Sequence, residues 1–294
     1  MEWQSQLITT YVTVCDAWRK GCFASVQRHS NNSHFALSDE EVVTIYLFGI
    51  SSGHVTVRGI YDYACRHLRD WFPELRGYES FSYRLNKVSS GFMSLCQFLV
   101  ESQEKTSSVN EWVIDSLPVV IAGPRRSGTA KVFSEFANKG YCASKNLYFY
   151  GVKIHVIGNI RSGSIPMPSY IGLTPASESD FKMFEQVSKS LKNGKIYGDL
   201  AYCDSTHTEK LEQDQNVEVR TPRKKKNGHH SFSGSDIYSS CVSAIRQPIE
   251  SLFNWLQEKT RIQNASKVRS SNGLLVHVFG KISAALMMQI GFNL

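Results

Sequence analysis

The stretch EWVIDSLPVV, residues 111–120, decides how the rest of the chain is read. Trp112, Val113, Ile114, Leu117 and Val119 favour β-structure, and a short apolar run ended by a proline has the pattern of a strand covered on both faces. Asp115 interrupts it. An ionised carboxylate withdrawn from water is costly unless a cation, a set of donors or a metal meets it. Either Asp115 faces solvent or ends the strand, or it is a ligand, and the other acids of the chain decide between these.

Two further acids pose the same question. In KIYGDLAYCD (195–204) a short strand Lys195–Tyr197 passes through Gly198 to Asp199, and the C-terminal ends of sheet strands are where α/β folds keep their ligands. In SAIRQPIESLFNWLQEKTRIQ (243–263), Ile245, Ile249, Leu252, Phe253 and Leu256 form an apolar stripe at helical spacing, with Arg246, Glu250, Asn254, Gln257 and Arg261 as a second stripe beside it. Glu250 then lies at the edge of a buried face, one turn after Arg246. Pro248 favours a helix start or kink, which would bring positive helix-end potential close to Glu250. Taken alone, Arg246 and Glu250 make an ordinary i, i+4 pair.

Together the acids form a set: two aspartates 84 residues apart on strands, then a glutamate 51 residues later on a helix. Three hard oxygen ligands brought to one point suit Mg²⁺ or Mn²⁺, and make sense only with cations present, because close carboxylates raise one another's pKa. Two such ions, about 3.5–4 Å apart, can activate the attacking oxygen and stabilise the leaving oxygen of a phosphodiester.

The 294-residue chain is 41% hydrophobic and 20% charged, the composition of an ordinary globular protein. No window approaches the ~18 consecutive apolar residues of a membrane span, and the start MEWQSQ lacks a signal-peptide layout, so the expectation is a cytoplasmic protein with no membrane partner. Seven scattered cysteines, never spaced C-x-x-C, indicate neither a disulfide framework nor a cysteine zinc site. The net charge of +7 is uneven: residues 1–110 carry 10 Lys/Arg against 11 Asp/Glu, and the remainder 23 against 15. A basic second part points to a polyanion, with nucleic acid first among candidates.

The first ~105 residues read as helical. Leu7, Ile8, Tyr11, Val12, Cys15 and Trp18 recur at helical spacing; Ser38-Asp39-Glu40-Glu41 is a capping box for a helix over 39–48; and helices are expected near 55–68, 78–87 and 91–102. Arg66, Arg69, Arg84 and Lys87 could face phosphates or form a solvated basic face. KTSSVN (105–110) reads as a linker, after which strands are expected over 112–117, 148–158, 164–173, 195–198 and 217–220, with a helix over 180–191 and helical segments at the end. The pattern is α/β, with a mixed sheet. The basic run Arg223, Lys224, Lys225 and Lys226 reads as a solvated loop that can still meet DNA, and His229-His230 beside it has no partner at metal-ligand spacing.

The order and spacing of six motifs resemble a DDE transposase of bacterial insertion sequences, most closely the 982 family of insertion sequences. They are Asp115-Ser116-x-Pro118; Asn138-Lys139-Gly140-Tyr141 and Tyr150-Gly151-x-Lys153-x-His155; Thr174-x-Ala176 with Asp180; Gly198-Asp199-x-x-Tyr202; and Arg246-x-x-Ile249-Glu250. They cover about residues 111–262, with a looser likeness in LSDEEV and WFPEL. The resemblance implies a ribonuclease-H-like mixed β-sheet flanked by helices over 111–294 as the catalytic domain, and a helical DNA-end-binding domain over 1–105. It implies that Asp115, Asp199 and Glu250 are the catalytic and metal-binding triad for two Mg²⁺ or Mn²⁺ ions. Arg246, Lys153, Arg223, Lys224, Lys225 and Lys226 are candidates for DNA contact. The partners implied are double-stranded DNA, as terminal inverted repeats and target, and a second copy of the chain as a homodimer on DNA. The chemistry implied is cleavage at element ends followed by transfer of the freed 3′-hydroxyl into target DNA. Where related families have a tyrosine three residues before the arginine and a lysine seven after the glutamate, this chain has Ser243 and Gln257, with Lys259 nearby. A nuclease of the same fold that never joins, and a catalytically silent DNA-binding descendant, remain as rival readings.

Overall fold

The computed structural model describes residues 2–28, 36–103, 110–142, 146–223 and 234–290. Five helices come first: α1 (Trp3–Arg19), α2 (Asp39–Ser51), α3 (Val57–His67), α4 (Tyr78–Lys87) and α5 (Gly91–Glu101). The strands β1 (Asn110–Ala122), β2 (Asn138–Cys142), β3 (Leu147–Asn159) and β4 (Met167–Pro175) follow. Next are α6 (Asp180–Val187), β5 (Gly194–Tyr197), α7 (Ser205–Gln215) and β6 (Val217–Arg220). The chain ends in α8 (Gly234–Thr260), α9 (Ser271–Leu275), a π turn (Val276–Gly280) and α10 (Lys281–Ile290).

Two compact units result, one of Met1–Gln103 with Leu256–Leu294 and one of Glu104–Trp255. The residues after Trp255, which the sequence pattern joins to the second part, thus cluster with the N-terminal helices. α10 packs on α2 and α5 and buries Ile282, Ala284, Ala285 and Leu286 there. The helical stretch Ser271–Ile290 is long and apolar enough to cross a membrane by composition, but 67% of its most apolar window is buried inside the protein, as in a core helix.

In the first unit the capping box forms as the sequence predicts. Ser38 Oγ accepts from the Glu41 N–H at 3.1 Å, and Glu41 Oε2 accepts from the Ser38 N–H at 2.7 Å. α2 is buried all round from Val42 to Ile50. The buried Asp39 at its first turn is met by Arg28 Nε at 2.8 Å and by Arg84, which also donates to the Val26 carbonyl. Arg84 therefore ties the fold together, and Arg66 and Arg69 donate to the carbonyls of Asp62 and Leu75. Lys87 lies over the Tyr83 ring.

The second unit is a mixed six-stranded sheet flanked by helices. Its order is β2-β3-β1-β5-β6, with β4 continuing the β2 edge of β3. β1–β3, β2–β3 and β3–β4 are antiparallel, whereas β1–β5 and β5–β6 are parallel. β1 does not end at Pro118 but runs to Ala122, with a bulge between Val120 and Ala122. Beyond Val113 it has no ladder with β5, so a residue without an N–H is tolerated there. Trp112, Ile114, Ile157, Phe184, Ile196, Tyr202, Leu211 and Val217 form one buried core.

α8 differs most from the sequence pattern. It begins at Gly234 and carries Pro248 inside, so Pro248 neither starts the helix nor gives Glu250 an N-terminal potential. Ile249, Leu252, Phe253 and Leu256 are buried, but Ile245, the first member of the expected stripe, is 38% exposed.

Candidate active site

The parallel pairing of β1 with β5 runs from Asn110↔Gly194 to Val113↔Tyr197. Asp115 and Asp199 each stand two residues beyond that last pair, so the two adjacent parallel strands present their acids at the same level. Gly198 is what permits this closeness. A Cβ there would lie 3.0 Å from Ile114 Cγ2 and 2.9 Å from Tyr202 Cδ2. After Asp199 the chain turns at once into a 3₁₀ helix (Leu200–Tyr202), and Asp199 Oδ1 accepts from the Ala201 N–H at 2.8 Å.

Asp115 is held at both carboxylate oxygens. Oδ1 accepts from the Ser116 N–H at 2.8 Å and Oδ2 from Arg246 Nη1 at 3.1 Å. Burial nevertheless pushes its pKa up to about 6; the Ser116 N–H and Arg246 pull it down, and the charges of Asp199 and Asp180 push it up further. Glu250 joins through the same guanidinium, with Arg246 Nη2 3.0 Å from Glu250 Oε1. Arg246 Nε is buried with no hydrogen-bond partner. Asp115 and Glu250 are therefore bridged by a cationic side chain. Among the described residues, no three His, Cys, Asp or Glu side chains converge closely enough to hold a metal.

The opposite face of β1 carries a second polar group. Ser116 Oγ donates to Asp180 Oδ2 at 3.3 Å. Lys153 Nζ donates to Asp180 Oδ1 and to the Glu178 carbonyl, each at 2.5 Å. His155 is fully buried, its Nε2 is 2.7 Å from Thr174 Oγ1, and its Nδ1 is 4.0 Å from Asp180. Burial lowers the His155 pKa to about 4, so the ring is neutral near pH 7. Lys153, a candidate for DNA contact, is thus engaged with Asp180, and His155 is a core histidine. Ser116 and Asp180 both stand in the motifs of the resemblance, but their contact with each other is not legible from sequence, because an acid in the first turn of a helix is ordinary. Burial pushes the Tyr202 hydroxyl's pKa up, and the nearby charges of Asp180, Asp115 and Asp199 push it in the same direction.

Arg223 follows β6, with its N–H donating to Ser239 Oγ at 3.0 Å and its guanidinium 5.1 Å from the Tyr238 ring centre. Lys224, Lys225, Lys226, His229 and His230 lie outside the described residues. Ser243 is exposed, Gln257 Oε1 accepts from the Gln263 N–H, and Lys259 pairs with Glu258 at 3.3 Å.

Compared with curated proteins, the chain matches none. The sequence model of the family described as transposase DDE domain matches residues 105–271, a span that takes in both aspartates, Arg246 and Glu250, and the chain belongs to that family.

Proposed function

We propose that this transposase acts for an insertion sequence of the 982 type, with a ribonuclease-H-like catalytic domain in which Asp115, Asp199 and Glu250 hold divalent metal. Three antiparallel pairings and two parallel ones in one sheet, with Asp115 within β1 and Asp199 just past the end of the adjacent parallel strand β5, support the fold reading. The observation that carries the site reading is the common level of Asp115 and Asp199, two residues past Val113↔Tyr197.

The donor chemistry of Asp115, Asp199 and Glu250 suits Mg²⁺ or Mn²⁺, although binding would have to draw the three carboxylates closer together than they stand. The donors are carboxylate oxygens, Asp115 is desolvated and crowded by like charge, and Arg246 already supplies positive charge between Asp115 and Glu250. When bound, such ions would supply Lewis acidity at a phosphodiester and lower the pKa of an attacking water or hydroxyl. The chain itself orients and neutralises. The Ser116 N–H and the 3₁₀ turn after Asp199 fix one oxygen of each aspartate, and among the described residues the second oxygen of Asp199 has no protein donor. Arg246, once released from Asp115, is placed to pair with a phosphate near Glu250. The reaction proposed is cleavage at the element ends and transfer of the 3′-hydroxyl into target DNA. Terminal inverted repeats would be held by the N-terminal helices, and a dimer would pair two ends.

The test is a joining assay with Mg²⁺, a pre-cleaved element end and plasmid target, run with the wild-type protein and Asp199→Asn. Joined product that disappears in the variant supports transposition. Cutting without joining supports a nuclease, and biological activity untouched by the variant supports a silent DNA-binding protein.

A further inference from the structure

The hairpin of β2 and β3 carries chemistry that the triad does not use. Tyr141 and Tyr148 are directly opposed across it, with ring centres 5.0 Å apart and the planes at 50°. They are 49% and 55% exposed. Lys139 Nζ sits 4.9 Å from the Tyr148 ring centre, and the Tyr141 hydroxyl donates to Asn146 Oδ1 at 2.7 Å. Gly140, between Lys139 and Tyr141, pins β2 down, since a Cβ there would lie 2.3 Å from the Ala176 carbonyl oxygen. A lone exposed tyrosine needs no explanation, but two touching rings capped by a lysine on a fixed ribbon form a flat, cationic, half-apolar platform.

Register relates that platform to the candidate site. Lys139 opposes Tyr150 and Tyr141 opposes Tyr148, so these four share one sheet face. Along β3 the same face continues through Val152 and Ile154 to Val156, which opposes Asp115; these three are buried, so the register sets the separation of platform and site, and DNA would pass over what covers them. The eight steps from Tyr148 to Val156 span roughly 26 Å at the rise of a strand. This corresponds to about seven or eight nucleotides of stacked DNA at 3.4 Å each. The segment that leads into the platform is basic: residues 123–142 hold four Lys/Arg (Arg125, Arg126, Lys131, Lys139) against the single Glu135, net +3. Arg125 and Arg126 lie in an exposed 3₁₀ turn that packs against β3.

We infer that the Lys139–Tyr141–Tyr148 platform binds DNA that leaves the candidate active site, stacking an unpaired base on the tyrosines and setting a phosphate beside Lys139. This rests on the proposed function, which supplies DNA on the Asp115 face. Exposed rings select an unpaired base over an intact duplex, whose base faces are hidden. The platform is set by β-ladder register and Gly140, so it needs no rearrangement to receive the base.

The experiment measures anisotropy of the full chain with two labelled probes. One is a duplex of roughly 30 base pairs and the other is the same duplex with a mixed-sequence single-stranded tail of roughly 10 nucleotides. Wild type is expected to prefer the tailed probe by roughly five- to hundredfold, the range given by one stacked base. Y141A/Y148A is expected to lose that preference while binding the blunt duplex like wild type, and Y141F/Y148F to keep it. Both rings are half exposed, so the alanine pair should melt close to wild type, and circular dichroism checks this. Wild type that joins ends but binds both probes equally, or an alanine pair that keeps the preference, overturns the inference and spares the transposition reading. A tail preference carried by the tyrosines in protein that joins no ends supports the platform and counts against transposition.

Discussion

Arg246 Nη1 lies 3.1 Å from Asp115 Oδ2, although the two residues are 131 positions apart in the chain. The same guanidinium reaches Glu250 one helical turn later, so a single cation compensates a strand acid and a helix acid together. Carboxylates that are to share a divalent ion need a substitute charge when none is bound, and Arg246 is placed to be that substitute.

Removing that charge should expose the need for it. Arg246→Gln is expected to destabilise the protein by about 1–3 kcal/mol at pH 7, a partly buried pair being worth less than a fully buried one. Added Mg²⁺ should then raise the melting temperature of Arg246→Gln more than that of wild type, because the ion replaces the lost cation. The effect should vanish in the double variant with Glu250→Gln. A differential scanning fluorimetry series in which Mg²⁺ moves none of these proteins would show that the carboxylates share no ion.

Asp115 should leave a mark on the pH dependence of stability. Its pKa is about 6 in the folded protein against an ordinary value of 3.8, so between these values the folded state binds more protons than the unfolded state. Stability therefore falls as pH rises from about 4 to 6, and the loss is complete above it, at roughly 3 kcal/mol. Asp115→Asn, which has no such proton, should match wild type more closely at pH 4 and exceed it at pH 7.5, while losing metal-dependent activity. Urea denaturation at the two pH values measures this, and a difference independent of pH would refute it.

What was legible in the sequence followed local rules. The capping box at Ser38, the β-rich run at 112–117 and the apolar spacing of Ile249, Leu252 and Phe253 each specify an element without outside help. β2 escaped notice because Asn138-Lys139-Gly140-Tyr141-Cys142 lacks apolar alternation; it forms by pairing with β3. The early start of α8 was hidden by the polar run GSDIYSSC, and Ile245 is exposed despite its helical spacing. At the site, the acids were visible as polar interruptions of apolar patterns. The Arg246 bridge and the Lys153–Asp180 pair were not, because each joins residues whose closeness is created only by the completed sheet and its helices.

The Lys153–Asp180 pair should behave as a coupled unit. Both side chains are mostly buried, at 15% and 23% exposure, and Asp180 also accepts from Ser116 beside Asp115. Asp180→Asn strands the lysine and should cost about 2–3 kcal/mol, whereas Lys153→Met together with Asp180→Asn should cost less than the sum of the single changes. A double-mutant cycle by chemical denaturation is expected to give a coupling of at least about 1 kcal/mol. Additive single effects would mean that the pair is too well solvated to matter.

Lys281 offers a pH test in the other unit with the opposite sign. It is 3% exposed in α10, it has no ion pair among the described residues, and burial lowers its pKa to about 7 from 10.5. Its neighbour His277, one turn earlier, is itself lowered to about 3 by burial and by Lys281, and its Nε2 donates to the Ile262 carbonyl 2.8 Å away, so it brings no compensating charge. Between pH 7 and 10.5 the unfolded state binds more protons at this lysine than the folded state, so its contribution to stability rises with pH. Lys281→Met removes the group and should stabilise the protein at pH 7 by no more than about 5 kcal/mol, with the advantage shrinking towards pH 10. Burial pushes the Tyr46 phenol up in the same unit, which weakens both proteins alike at high pH, so the difference between them is the quantity to measure. Paired thermal melts at pH 7 and pH 10 decide the point: an advantage that is absent at pH 7, or that grows with pH, would mean that Lys281 keeps its proton in the fold.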